Sequence, residues 1–155
     1  MAEIVQVNNK KELGHFIDFP RRMYHEDPNY ISELNITTKG KLTKRNPFLK
    51  HSEIEMFLAR SSANGNIIGR ITAVYNRTHL DRYNDSCGFF GFFDSVDDLE
   101  VSTMLLDRAS KWLRSKGLKK IIGPTNLTTN DSCGVLVKGH EYPNQVSMPY
   151  NYPYY

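Results

Sequence analysis

GFFGFF, residues 88–93, is the stretch of sequence that decides the fold. Its aromatic residues fall at both odd and even positions, so a strand made of them would be apolar on both faces. That pattern is typical of a strand buried between two layers. We therefore predict that residues 88–93 form a buried β-strand in the middle of a sheet.

A long amphipathic helix is predicted directly after this strand, over residues 99–116. Charged residues occupy the face opposite to the apolar one. Gly117 offers the left-handed residue that commonly ends a helix, and residues 119–124 then read as a strand ended by a breaker. Strand, helix and strand together predict a crossover connection. The apolar stripe of the helix consists of Leu99, Val101, Leu105, Leu106, Ala109, Trp112 and Leu113.

A hairpin is predicted on the N-terminal side of the aromatic strand. Two β-rich runs, residues 53–62 and 67–75, flank Asn64-Gly65, and Asn-Gly is the strongest short-range hairpin signal. The two runs are therefore expected to pair antiparallel. The polar residues 28–50 before them predict only a short helix or an ordered loop.

The first 25 residues predict a strand and a helix. Residues 3–7 alternate polar and apolar side chains, which favours a short strand. A helix is expected from Lys10, with Asn9 as its N-cap. Pro20 lacks the amide that a helix interior needs, so we expect it to kink or restart the helix, which would end near His25.

Length and composition exclude several classes of protein. The chain has 155 residues, 39% hydrophobic and 24% charged, which predicts one globular domain. The net charge of +3 is dispersed, so no nucleic-acid partner is predicted. Without a long apolar run, we expect no membrane partner and a cytoplasmic location. Cys87 and Cys133 predict reduced thiols, with a single bridge left open, and the spacing of the histidines predicts no metal.

The predicted order of elements resembles the fold of the GNAT acyltransferases. In sequence, the chain is similar to the N-terminal part of long bacterial GNAT-like proteins of unassigned substrate. The resemblance implies an α/β fold with a mixed, largely antiparallel sheet flanked by helices, and a domain at residues 1–155 that lacks the last helix and strands. The likeness is carried by FPRRMYHEDPNY, KRNPFLKHSEIEMFLA, GRITAVYN, GFFGFFDSVDD, WLRSKG, GPTNLTTNDSCG and MPYNYPYY.

The resemblance implies acetyl-CoA or another acyl-CoA as co-substrate. In GNAT enzymes the fourth strand diverges from the fifth, and the pantetheine arm bonds to free backbone groups of the fourth strand. Glycines in that strand would permit close approach, although a bulge or a packing gap explains them equally well. The implied cofactor-binding residues are Gly88, Phe89, Phe90, Gly91, Phe92 and Phe93.

The segment that corresponds to the family's pyrophosphate loop departs from the family's glycine-rich pattern. It reads Asp94-Ser95-Val96-Asp97-Asp98, with no glycine and three carboxylates. Carboxylates favour the positive end of a helix, where they cap it, and they repel phosphate. We therefore expect weak or absent binding of CoA.

The resemblance also implies a reaction, namely acyl transfer from acyl-CoA to a small-molecule or peptide amine. Asn126, Asn130 and Asp131 follow the predicted fifth strand, where ligand groups gather in open α/β sheets, so they are candidate acceptor-binding residues. Turn formation is the alternative for them. Tyr154 and Tyr155 are the candidate general acids, with hydrophobic docking as the alternative. The competing function is a non-catalytic binding or assembly module.

A homodimer is expected for this chain. The sequence closes on MPYNYPYY at residues 148–155, and no later element is present to bury these tyrosines. Exposed sheet edges and aromatic patches are commonly covered by association with a second copy.

Overall fold

A computed structural model describes residues 1–145 and 147–155. Its sheet has five strands in the order β1-β2-β3-β4-β5. The first four strands pair antiparallel, and β4 pairs parallel with β5. The strands are β1 (Ala2–Gln6), β2 (Ser52–Ser61), β3 (Ile67–Asn76), β4 (Cys87–Ser95) and β5 (Lys120–Ile122). The helices are α1 (Lys10–Met23), α2 (Asn35–Lys41), α3 (Arg77–Tyr83) and α4 (Leu99–Ser115), with a 3-10 turn at Pro47–Lys50.

The mixed, largely antiparallel sheet and its flanking helices confirm the predicted fold class. The position of the aromatic strand was wrong in detail. β3 is the middle strand, and β4 lies between β3 and the short β5. Helix α3 was not predicted. It begins after Asn76, whose side-chain oxygen accepts a hydrogen bond from the backbone N–H of His79 at 3.2 Å.

Helix α4 covers one face of the sheet, packing mainly on β3 and β2 rather than on β4. Asp98 is its N-cap and accepts the backbone N–H groups of Glu100 and Val101 at 2.9 and 3.3 Å. Leu99 was placed wrongly in the apolar stripe, because it occupies the first turn and is 83% exposed. Trp112 is only partly buried at the edge of this core. The buried residues that α4 contributes are Val101, Leu105, Ala109 and Leu113.

Helix α1 covers the other face, and its proline does not interrupt it. Pro20 lies inside the helix and has no N–H. The carbonyl of Phe16, four residues earlier, therefore does not receive its usual helical hydrogen bond. The guanidinium of Arg70 takes that place, because its Nη1 donates to the carbonyl of Phe16 at 2.8 Å. The helix therefore does not restart at Pro20, since a side chain from β3 satisfies the free carbonyl, and it ends at Met23, close to the predicted end near His25.

A bulge in β4 explains why its aromatic residues serve both faces. Phe92 has a positive φ of 45°, and the register with β3 shifts at this point, so that β4 holds one extra residue. Phe89 and Phe92 consequently pack on the α1 side of the sheet. Phe90 and Phe93 pack on the α4 side.

β4 and β5 pair only over Cys87–Phe89 and Lys120–Ile122, and beyond this pairing the chain folds back across β4. The backbone N–H of Thr125 donates to the carbonyl of Phe90 at 2.7 Å. Gly91 makes this crossing possible, because a Cβ there would lie 1.8 Å from the carbonyl oxygen of Thr125. The close approach is thus made by the chain's own backbone.

The terminal tyrosines fold back onto the chain. Tyr152 donates to the carbonyl of Met23 at 3.2 Å, and the hydroxyls of Tyr154 and Tyr155 bond to the backbone of Ser95. These contacts cover the rings in part, and Tyr154 and Tyr155 stay 41% and 37% exposed. The homodimer stays a prediction.

Candidate functional site

A cleft of about 570 Å³ opens between α1, the segment that follows it, the end of β4 and the C-terminal segment. Its floor is built from Tyr24, Arg70 and Asp94, and its walls include Tyr30 and Tyr150. Three exposed apolar residues also line it. They are Ile31, Val135 and Met148, which are 59%, 42% and 48% exposed. The cleft therefore combines a polar floor with an apolar rim.

The floor of the cleft is a buried network of three side chains. Nε of Arg70 donates to Oδ2 of Asp94 at 2.7 Å, and the Tyr24 hydroxyl donates to Oδ1 at 3.0 Å. Arg70 also lies over the rings of Phe16 and Phe92, with centroid distances of 5.1 and 5.6 Å. The opposite charges of Arg70 and Asp94 balance, so the floor carries no net charge.

Tyrosine rings pack around this floor. The ring centroid of Tyr24 lies 4.6 Å from that of Tyr30, 5.4 Å from that of Tyr150 and 4.8 Å from that of Tyr152. Burial, followed by the charge of Asp94, raises the pKa of Tyr24 far above its usual value and that of Tyr30 to about 12. Burial and the hydrogen bond to Asp27 likewise raise the pKa of Tyr150. At neutral pH these phenols are uncharged and act as hydrogen-bond donors.

The outer edge of β4 is bonded to the chain's own C-terminal residues. Oδ1 of Asn126 accepts the backbone N–H of Phe92 at 2.8 Å. The backbone N–H of Ser95 donates to the Tyr155 hydroxyl at 2.5 Å, and its carbonyl accepts the hydroxyls of Tyr154 and Tyr155 at 2.8 and 3.2 Å. Burial raises the pKa of Tyr154 to about 12 and also raises that of Tyr155.

The carboxylates between β4 and α4 divide into two groups. Asp98 caps the helix, as expected for a carboxylate at the start of a helix. Asp97 lies beside it at the exposed helix start. The expectation that Asp94 also occupies the helix entrance is wrong, because Asp94 is only 7% exposed and points into the network with Arg70.

The predicted acceptor residues do not gather in one place. Asn126 lines the cleft. Asn130 and Asp131 belong to a turn in which the Thr128 hydroxyl donates to Asp131 at 3.1 Å. Asp131 also lies 3.4 Å from Nζ of Lys41. Burial lowers the pKa of Lys41, but its ion pairs with Glu33 and Asp131 outweigh that effect, so the pKa is raised.

The residues of the predicted cofactor-binding strand also lie in different places. Gly88 packs against α4, because a Cβ there would lie 2.7 Å from the side chain of Leu113. Phe92 and Phe93 line the cleft. The bulge falls at Phe92 rather than at either glycine.

Sequence reasoning missed Tyr24, Tyr30 and Arg70 as site residues. Arg70 offered a signal, since it is the one charged residue in the run IIGRITAVY at residues 67–75, and a charge in a buried strand needs a partner. The two tyrosines lie in FPRRMYHEDPNY at residues 19–30, a string that contributes to the family resemblance but indicates no chemistry.

Other candidate chemistry lies away from the cleft. Nε2 of His79 pairs with Asp85 at 3.1 Å, and the hydrogen bond from His79 lowers the pKa of Asp85. Cys87 and Cys133 are free thiols. Within residues 1–145 and 147–155, no cluster of side chains could hold a metal ion, and no helix is long and apolar enough to cross a membrane.

Solved structures show that this fold is the GNAT acetyltransferase fold, as the sequence resemblance implied. A GNAT-family acetyltransferase from Staphylococcus aureus superposes with a TM-score of 0.54 and 15% identity, over 81% of this chain and 74% of that chain. AAC(6')-Iy in complex with a CoA bisubstrate analogue gives a TM-score of 0.55 and 17% identity, over 81% of this chain and 80% of that chain. No protein-family model matches the chain.

Two particular relatives are similar in sequence. Protein YghO of Escherichia coli is 38% identical over 147 residues, 95% of this chain and 37% of the relative. The bacterial ceramide synthase of Caulobacter vibrioides is 36% identical over 147 residues, 94% of this chain and 38% of the relative. The chain thus spans less than two fifths of either relative.

Acyl-CoA, which the fold implies, does not fit the place that the resemblance assigns to it. The carbonyl of Phe90 and the N–H groups of Phe92 and Ser95 already bond to this chain. Asp97 and the capping Asp98 stand directly before α4, and Asp98 already accepts hydrogen bonds from the Glu100 and Val101 amides that a pyrophosphate would need free. The cleft is therefore the candidate ligand-binding site of this chain.

Proposed function

We propose that this chain takes part in N-acyl transfer by binding the acceptor, a long-chain amine, in its cleft, while the acyl donor binds at a place other than the outer edge of β4. The observation that carries the proposal is the polar floor of Tyr24, Arg70 and Asp94, which has no net charge and lies beneath an apolar rim. A GNAT fold supports acyl transfer in general, and a relative is named a ceramide synthase. Ceramides are amides of long-chain amino alcohols, which gives the acceptor its class.

The floor suits an uncharged amine. An ammonium ion would bring a positive charge into a network whose charges already balance, and burying an unpaired charge is costly. The neutral amine is also the nucleophilic form. Asp94 accepts one hydrogen bond at each oxygen and keeps free lone pairs, which can receive an N–H or O–H from the acceptor.

The tyrosines are suited to holding the polar end of such an acceptor. Since burial raises the pKa values of Tyr30 and Tyr150, their hydroxyls keep their protons at neutral pH. A phenol in that state donates hydrogen bonds to a hydroxyl or amine and does not withdraw a proton. Tyr150 already donates to Asp27, which leaves Tyr30 as the freer of the two.

The rim would hold the hydrocarbon chain. Ile31, Val135 and Met148 expose apolar surface to solvent, and covering such surface with an alkyl chain is favourable in proportion to area. A fully buried methylene strengthens binding by about fourfold. Affinity should therefore rise with the length of the alkyl chain.

The test is a titration of n-alkylamines with eight to fourteen carbons, read by tyrosine fluorescence. We expect affinity to increase with chain length and the increase to shrink in Ile31→Ser/Met148→Ser. Val137→Ser is the matched control, because Val137 is 77% exposed and does not line the cleft. Affinity independent of chain length, or unchanged in the double variant, would contradict the proposal.

A second candidate function is a non-catalytic binding module, which the covered edge of β4 favours. The two are distinguished by measuring thiol release from palmitoyl-CoA in the presence of dodecylamine. Release above the rate without protein supports the acyltransferase. Alkylamine binding without release supports the binding module.

A further inference from the structure

In the GNAT fold, acyl-CoA is expected in the gap where β4 diverges from β5, and we call this gap the donor slot. We propose that this chain fills the donor slot with its own side chains, so that the edge of β4 that faces away from β3, its outer edge, does not bind acyl-CoA. The closing residues are Asn126, Tyr154 and Tyr155. The inference concerns the edge of the sheet and does not depend on what the cleft binds.

The closing residues bond to the strand as a partner strand would. After the pairing with β5 ends, the next outward-facing groups of β4 belong to Phe90, Phe92 and Ser95. Each is bonded to a later part of the chain: to the backbone N–H of Thr125 at 2.7 Å, to Oδ1 of Asn126 at 2.8 Å and to the Tyr155 hydroxyl at 2.5 Å. An exposed strand edge is a template for pairing, and here the template is used internally.

Packing reinforces these hydrogen bonds. The Tyr155 ring meets Phe93 edge-on at 5.7 Å between centroids, and Tyr154 stacks on Tyr155 at 5.2 Å. Gly91 brings the backbone of Thr125 against β4 so closely that no side chain fits between them. A ligand entering the slot would have to displace several hydrogen bonds and an aromatic stack together.

A closed donor slot and repulsion by the carboxylates lead to different predictions for CoA binding. If the carboxylates of Asp97 and Asp98 alone repel the pyrophosphate, their removal should create binding, most visibly at low salt. If the slot is closed, removing the charges should leave CoA unbound. Asparagine is a suitable replacement at Asp98, because it also caps helices well.

The experiment follows individual backbone amides of the 155-residue chain by NMR hydrogen exchange. We expect the amides of Phe92 and Ser95 to be protected in the wild type and unaffected by millimolar acetyl-CoA. Tyr155→Phe should speed exchange at Ser95 by about fivefold or more, because it removes the hydroxyl that accepts the amide. Asn126→Ala should do the same at Phe92.

Tyr142→Phe is the matched control, since Tyr142 is 66% exposed, and it should change neither amide. Near-ultraviolet circular dichroism verifies that each variant is folded, and the wild-type exchange and acetyl-CoA titration test the proposal without any variant. Acetyl-CoA binding that shifts the Phe92 and Ser95 amides, in the wild type or in Asp97→Asn/Asp98→Asn, would overturn it. Loss of alkylamine binding would count against the proposed function alone.

Discussion

Replacing Gly91 with alanine should be one of the most damaging single changes in this chain. The new Cβ would lie 1.8 Å from the carbonyl oxygen of Thr125, a backbone atom that must retreat to at least 3.0 Å. That movement breaks the hydrogen bond from Thr125 to Phe90 and pulls Asn126 away from Phe92. Two broken hydrogen bonds and the overpacking together predict a loss of about 3–5 kcal/mol in the free energy of unfolding.

Two other glycines serve as matched controls for this substitution. A Cβ at Gly88 meets the flexible end of Leu113 at 2.7 Å, so Gly88→Ala should cost only about 1–2 kcal/mol. A Cβ at Gly14, inside α1, meets nothing within 4 Å, so Gly14→Ala should stabilise the protein by about 0.5–1 kcal/mol.

The assay is urea denaturation followed by the fluorescence of Trp112, the single tryptophan. The order of stability should be Gly14→Ala, wild type, Gly88→Ala, Gly91→Ala. If the free energy of unfolding of Gly91→Ala were within about 1 kcal/mol of the wild-type value, Thr125 would not pack tightly against Gly91. The proposal that the donor slot is closed would then lose its main support.

Three further predictions concern the cleft and α4. Asp94→Asn should lower the free energy of unfolding by about 3–5 kcal/mol, since Arg70 is left buried without its partner, whereas Asp94→Leu/Arg70→Met should cost less; urea denaturation compares the two. Trp112→Ala should cost about 1–3 kcal/mol, below the value for a fully buried ring, because Trp112 is partly exposed, and circular dichroism during denaturation gives the difference. Folding raises the pKa of Tyr30 and Tyr154 to about 12, whereas unfolded tyrosine ionises near pH ~10. Their contribution is therefore fully present below about pH 10 and is lost as the pH rises towards 12; a stability that stays constant between those values, with tyrosinate absorbance rising, would contradict the burial of the phenols.

Much of the fold follows from local sequence. Asn9 and Asp98 cap the helices predicted to follow them, because an N-cap bonds to amides only two or three residues away. Asn64-Gly65 lies in the turn of the predicted hairpin. Local signals failed where the hydrogen-bond partner came from a distant part of the chain, as at Pro20, where Arg70 donates the hydrogen bond that the missing amide cannot.

The candidate site could not be read in the same way. Asp94 lies 24 positions from Arg70 and 70 from Tyr24 along the chain, and no periodicity links residues so far apart. The bulge at Phe92 decides that Asp94 turns towards α1 instead of standing with Asp97 at the helix entrance. One inserted residue reverses the side on which the following side chains lie.

The sequence by itself determined the order of the strands and of the helices other than α3, the aromatic strand and the absence of a glycine-rich loop before α4, because propensity, capping and periodicity act over a few residues. Only the tertiary structure decided that Asn126 and Tyr155 bond to the edge of β4 and that Tyr24, Arg70 and Asp94 share the floor of one cleft. These contacts join residues 24 to 70 positions apart, and it is the folding of the sheet and the return of the chain across it that bring them within hydrogen-bonding distance.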